Sequence, residues 1–176
     1  MKCIIAIVLS TLLCLAAQAQ TDTTSARPVM FLDSVRITQA ELEEQFEPAD
    51  MAAVTIYKDT NAIKLIGPEG RNGVVYLETR KFARNRYWKL FSSRSAEYKK
   101  AVPNPEGDST VAYILNGKVL TGNFEGTLST CNEKNLLELK VIGGKALGSD
   151  YGVTDKGVGV VIKAELHEIH AGSRTL

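Results

Sequence analysis

Two histidines, His167 and His170, stand three apart beside Glu165 and Glu168, and they are the only imidazoles in the chain. On a strand, residues three apart face opposite sides. The rings would therefore diverge, and four-coordinate zinc needs more ligands than this neighbourhood offers. No metal site is expected. The run containing Gly67, Gly70, Asn72 and Gly73 lacks the Lys-Ser/Thr ending of a phosphate loop and leads into an apolar alternating stretch, so no helix N-terminus faces an anion. It reads as a turn. No G-x-S-x-G elbow occurs, and the order of the carboxylates does not place two of them across one cleft. Neither a catalytic residue nor a cofactor is expected.

The remaining candidate is a basic, ring-bearing segment at residues 81–100. Lys81, Arg84, Arg86, Lys89, Arg94, Lys99 and Lys100 stand there against a single acid, Glu97, interleaved with Phe82, Tyr87, Trp88, Phe91 and Tyr98. Spacings of three, four and seven put the rings on or near one helical face. Stripes of this kind usually dock on a core, leaving the charges solvated. The functional alternative is a contact surface built from Arg84, Arg86, Tyr87, Trp88 and Arg94, which suits an envelope protein, an anionic glycan or a lipid headgroup through charge-assisted hydrogen bonds and stacking.

These residues need a scaffold, and the N-terminus indicates where it works. Met1-Lys2, an apolar run over residues 3–17 and the triplet Ala17-Gln18-Ala19 have the three parts of a cleavable secretory leader, with cleavage expected before Gln20. The run falls short of the ~20 residues that cross a bilayer, so no transmembrane segment is expected in the mature chain. Leu13 before Cys14 disfavours a lipoprotein anchor. Loss of residues 1–19 leaves 157 residues (176 − 19), enough for one domain or two small ones sharing a core. It also removes Lys2, so basic residues fall from 21 to 20 against 20 acids. A formal charge of zero argues against nucleic acid. Cys131 alone survives, which excludes an intramolecular disulfide. The expected location is periplasmic or outer-membrane-associated.

Along the chain, residues 29–32 and 35–37 predict a hairpin. Thr38 and Glu41 have capping-box spacing for a helix that ends before Pro48. Residues 54–57 alternate as a strand, Ala62, Ile63 and Ile66 form a short helical ridge, and residues 74–79 are a strand. Residues 103–109 read as a linker. Asn116-Gly117 between apolar runs predicts a tight hairpin, followed by strands over 136–142 and 159–166 with an irregular spacer at 143–151.

The order repeats. An offset of 83 pairs Phe31 with Ile114 and Asp33 with Asn116; 85 pairs Val54 with Leu139, Ile56 with Val141 and Gly67 with Gly152; 86 pairs Gly73 with Gly159 and Val74 with Val160. The predicted fold is α+β: two small hairpin/helix/strand units, residues 20–80 and 111–176, joined by 81–110 and packed so that each covers the other's apolar sheet face.

Residues 48–80 also carry a resemblance. Pro48-Ala49-Asp50-Met51, Val54-Thr55-Ile56-Tyr57-Lys58-Asp59, Gly67, Gly70, Asn72-Gly73-Val74-Val75 and Leu77-Glu78-Thr79-Arg80 resemble the plug domain of TonB-dependent outer-membrane receptors, notably the glycan-uptake type. That pattern runs roughly P-x-D-I-x-x-I-x-V-x-K-D, then Y-G-x-x-G-x-N-G-V-I-x-I-x-T-K. Met51 stands for its first Ile, Ile66 for the Tyr and Arg80 for the final Lys. The second half matches more weakly. A barrel of about twenty strands, at roughly ten residues each, has no room here. The resemblance thus implies a plug-like fold and an envelope location without transport. Together these features predict a non-catalytic exported binding protein; the alternative is a small secreted hydrolase with its site between the units.

Overall fold

The computed structural model describes residues 27–166, so the leader, its cleavage site, Glu168, His167 and His170 lie outside the described residues. The first unit runs β1 (Val29–Leu32), β2 (Val35–Ile37), α1 (Gln39–Gln45), β3 (Met51–Tyr57), α2 (Asp59–Ile66) and β4 (Val74–Thr79). Two helices follow, α3 (Arg80–Arg94) and α4 (Ala96–Ala101). The second unit is β5 (Val111–Leu115), β6 (Lys118–Val119), α5 (Phe124–Leu128), β7 (Leu136–Gly143), α6 (Gly144–Tyr151) and β8 (Val158–Ala164). The fold is α+β. Among the described residues no helix is long and apolar enough to cross a membrane.

Two four-stranded sheets result, ordered β2-β1-β4-β3 and β6-β5-β8-β7. In each, a central parallel pair is flanked by antiparallel partners. The hairpin turns match as well. Asp33 and Ser34 have φ of 52° and 71°, Asn116 and Gly117 have 49° and 83°, the positive pair that a two-residue turn requires to follow strand twist. Asp33 then clamps the far end of β4, its carboxylate accepting from the Thr79 amide and hydroxyl at 2.7 Å each. Asn116 does the same for β8, accepting from the Ala164 amide at 3.0 Å and donating to the Ala164 carbonyl at 2.9 Å. Register shifts fall between Met51 and Ala53 and between Leu136 and Glu138, equivalent places in β3 and β7.

Register corrects one expected correspondence. Met30 faces Val75 and Tyr113 faces Val160 in the parallel pairs, so the last strand keeps the offset of 85 and Gly73 has no match in Gly159. A one-residue slip would exchange the faces. The two glycines serve different needs. Gly73 has φ of 94° at a turn, whereas Gly159 lies within β8, where a Cβ would sit 2.8 Å from Ile142 Cγ1 and 2.9 Å from Leu147 Cδ1. The spacer at 143–151 is helical in its last eight residues. The ring-bearing segment is two helices, broken at Ser95, which ends α3 and caps α4 by accepting from the Tyr98 amide at 3.1 Å.

The main core lies on one face of the second sheet, where Tyr113, Leu115, Val160 and Ile162 meet Tyr87 and Phe91 of α3, Tyr98 of α4 and Leu128 of α5. Leu147 of α6 packs on the opposite face against Ala112 and Ile114. The expectation that each sheet covers the other gives way: the connecting helices cover one face of the second sheet. The units meet instead where α5 lies on β3, with Asn123 Nδ2 donating to the Met51 and Ala52 carbonyls at 3.0 and 3.3 Å. Gly126 makes this approach possible, since a Cβ there would overlap the Ala52 carbonyl oxygen.

Gly126→Ala and Gly159→Ala are both expected to lower the urea midpoint, each by an amount equivalent to about 1–3 kcal/mol, the usual range for overpacking. Gly126→Ala is the more damaging of the two, because a backbone carbonyl yields less than side-chain ends. An unchanged midpoint for Gly126→Ala would show that α5 does not bear on β3.

Candidate functional site

The helix α3 shows where the five expected contact residues go. Thr79 caps it, its hydroxyl accepting from the Phe82 amide at 3.1 Å, and Ala83, Tyr87 and Phe91 form its buried face at four-residue intervals. Tyr87 is fully buried, and half-buried Trp88 donates from Nε1 to the Val102 carbonyl at 2.9 Å. Arg84 Nη2 donates to Glu125 Oε1 at 2.8 Å. Arg86 pairs with Glu78 and also reaches the Ser129 carbonyl at 3.2 Å. Arg94 Nε donates to Glu133 at 2.9 Å. All five side chains have partners within the molecule: Tyr87 belongs to the core, Trp88 and Arg84 are partly buried, and Arg86 and Arg94 remain exposed. Glu125 and Glu133 lie some forty residues along the chain, which hid the pairing from sequence.

The glycine turn is structural too. Residues Gly67–Asn72 form a 3-10 helix, Gly67 with φ of 75° ends α2, and Gly70 packs so closely on Ala62 that a Cβ would overlap its carbonyl. Asn72 is exposed, and the Gly73 amide donates to the Gly70 carbonyl at 2.9 Å.

Sequence reasoning missed the buried polar centre. Asp108, in the stretch read as a linker, accepts on Oδ2 from Tyr87 at 2.9 Å and Tyr113 at 3.2 Å, while Tyr113 shares a 3.1 Å hydrogen bond with Tyr98. Arg84 Nε lies 3.9 Å from the same oxygen. A Pro-Asn-Pro-Glu-Gly-Asp run between a ring-bearing segment and an apolar strand was the available hint. Burial is the main reason the pKa values of Tyr87, Tyr98 and Tyr113 are raised from 10, with Asp108 adding to it. These phenols donate hydrogen bonds and do not act as bases near neutrality. For Arg84, burial pulls the pKa down, but Asp108, Tyr87 and Glu125 outweigh it and the net shift is upward. Arg84 Nε and Glu125 Oε2 are buried without a hydrogen-bond partner. A cleft of about 530 Å³ opens beside this centre, bordered by Arg84, Asp108, Tyr113, Thr121, Asp155 and Lys156.

A larger cleft, about 800 Å³, lies between the units and is lined by Ala52, Asn123, Gly126, Asn132, Lys134 and Glu165, among others. Its lining holds one carboxylate, Glu165, and one ammonium, Lys134, beside amides and hydroxyls. No group of three metal-ligating side chains occurs among the described residues. Burial pushes the Cys131 thiol up to about 11, so little of the thiolate that would be its nucleophilic form is present near neutrality.

The first sheet differs from the second in what it leaves open. Its register places Ile37, Met30, Val75 and Ile56 in one row across the four strands and Val35, Leu32, Leu77 and Val54 in the next, all on one face. Every position is apolar. In the second sheet the equivalent face is sealed: Tyr113 and Leu115 are 2% and 5% exposed, Val160 and Ile162 0%. In the first sheet Val35, Val54 and Ile56, on the two edge strands, are 68%, 44% and 58% exposed, Met30, Leu32, Ile37 and Val75 are half-buried, and Leu77 is 7% exposed. At one end of this face α1 brings Leu42 and Phe46 near Met51 and Leu77. Exposed apolar side chains grouped on one sheet face are candidates for an interaction surface.

Comparison with protein-family models, with curated proteins and with solved structures finds no match.

The buried acids of the core have a measurable consequence. Cys131 titrates at 9 in a free chain and about 11 here, and the tyrosines are raised from 10. The folded state therefore holds these protons where the unfolded chain releases them. Their contribution is complete below about pH 9 and is lost as the pH climbs through 9–11 and beyond. Calorimetric Tm should be flat with respect to these groups from pH 7 to 8.5 and fall steadily above 9. A Tm that rises in that window would exclude the buried network.

Proposed function

We propose that this is a non-catalytic, exported cell-envelope protein, built from two plug-like units of common origin, that acts by binding a protein partner through the open face of its first sheet. The observation that carries the reading is the contrast between two faces of equivalent strand order, one sealed by α3 and α4 and the other apolar, with Val35, Val54 and Ile56 exposed on its edge strands. Support for the location comes from the leader-like N-terminus, and support for common origin from the matched topology, turn clamps and register shifts. The plug-like pattern of residues 48–80 agrees with an envelope setting. A protein suits the open face better than an anionic glycan or lipid headgroup, because Arg84, Arg86 and Arg94 are already paired with carboxylates.

In-cell photo-crosslinking tests this directly. With benzoylphenylalanine at position 56 of the exported protein, one discrete protein adduct is expected; at position 163, exposed on the second sheet, none. Absence of an adduct from position 56, or the same adducts from both positions, would overturn the binding reading. The intact mass of the exported protein should correspond to a chain beginning at Gln20, and a retained leader would remove the envelope assignment.

A further inference from the structure

We infer that the partner presents a basic amphipathic helix with aromatic anchors, which lies across the open face of the first sheet beside α1. This rests on the binding reading above and specifies it.

The second sheet supplies the template. By register, Met30, Leu32, Val75 and Val54 occupy the positions that Tyr113, Leu115, Val160 and Leu139 hold in the second sheet. Those positions are covered by α3, whose Tyr87 and Phe91 rings lie in the core cluster with Tyr113. A surface of the same strand order and similar apolar character accepts an element of the same shape. A helix about 10 Å across, lying across the strands, spans the roughly 7 Å that separate two rows of side chains two residues apart.

Charge selects the sign of that helix. The sequence of α3, RKFARNRYWKLFSSR, contains no acid, and Arg84 reaches Glu125 on α5, the helix that flanks the sealed face. The helix that flanks the open face is α1. Residues 38–50 contain Glu41, Glu43, Glu44, Glu47 and Asp50 and no base, and all five acids are exposed. Glu41 is held by its capping box, with hydrogen bonds from the Thr38 amide and hydroxyl keeping its carboxyl below the usual range. The others form no ion pair among the described residues. An apolar floor with an acidic rim complements a helix of the α3 kind, apolar and aromatic on one side and cationic on the other.

Area argues against a second copy as the occupant. Two rows over four strands span roughly 15 Å by 10 Å from strand spacing and rise, far below the ~800 Å² per partner of a stable dimer. A helix lying in a groove can engage its own flanks as well as this floor.

The test uses the exported chain, residues 20–176, and a fluorescein-labelled peptide with the sequence of residues 80–101 as the probe, read by anisotropy. Saturable binding is expected, absent for a peptide with its Lys and Arg changed to Glu, and weaker in high salt. Two variant sets should each weaken it by about tenfold or more: Val54→Asp with Ile56→Asp, and Glu43→Lys with Glu44→Lys and Glu47→Lys. Their side chains are already exposed, so unchanged melting serves as the fold check. No saturable binding, or binding that both sets leave intact, overturns the helix assignment, while an adduct from position 56 would still uphold the binding reading. A sedimenting dimer dissolved by Ile56→Asp would assign the face to a second copy. Peptide binding only after truncation beyond Leu166 would assign it to residues 167–176. Either result overturns the proposal.

Discussion

The seating of α3 on the second sheet is the contact on which the molecule depends. Its rings fill the core cluster, its arginines reach α5, β4 and the loop before β7, and Tyr87 helps to bury Asp108. Buried aromatic side chains of this size contribute the largest single increments of hydrophobic stabilisation. Polar groups on the same helix make the position unique, since Arg84 and Tyr87 find their partners only in one rotation and one register. An apolar stripe alone would tolerate sliding. The buried carboxylates thus fix geometry, at the expense of two polar atoms that lack partners.

The first sheet has no comparable seat. Of its side chains and those of α1 and α2, only Ala62, Val74 and Leu77 are buried apolar groups. Phe31 stacks on Tyr76 and Tyr57 meets the same ring edge-on, which organises the face turned toward α2. The other face is as apolar as its counterpart but lacks the helix. Similar sheets with dissimilar cover are what distinguishes the two ends of this protein.

Much of the fold was legible in the sequence. The hairpins at residues 29–37 and 111–119, the capping box at Thr38 and the alternation in β3 and β4 follow from local rules, and each formed as those rules require. The short helices were not legible. In α5 the residues Phe-Glu-Gly-Thr-Leu have little helix propensity, and the segment is fixed by the fit of Gly126 against Ala52. Two glycines in α6 masked its one buried anchor, Leu147. The candidate site divided along the same line. Ring spacing announced the buried face of α3, whereas Glu125, Glu133 and Asp108 are long-range partners whose relation to that helix exists only after folding. The open face of the first sheet was present in the alternating pattern, but its exposure depends on which sheet the connecting helices choose.

That choice bears on how the chain is made. Whether leaving a ribosome or a membrane channel, β1 to β4 emerge first, and the helix that follows them finds its resting place only when β5 to β8 have emerged. During that interval an unsupported apolar sheet is all that exists, and contacts between distant parts of a chain form late. Vectorial emergence of the chain therefore presents the less buried end to its surroundings before the other can steady it.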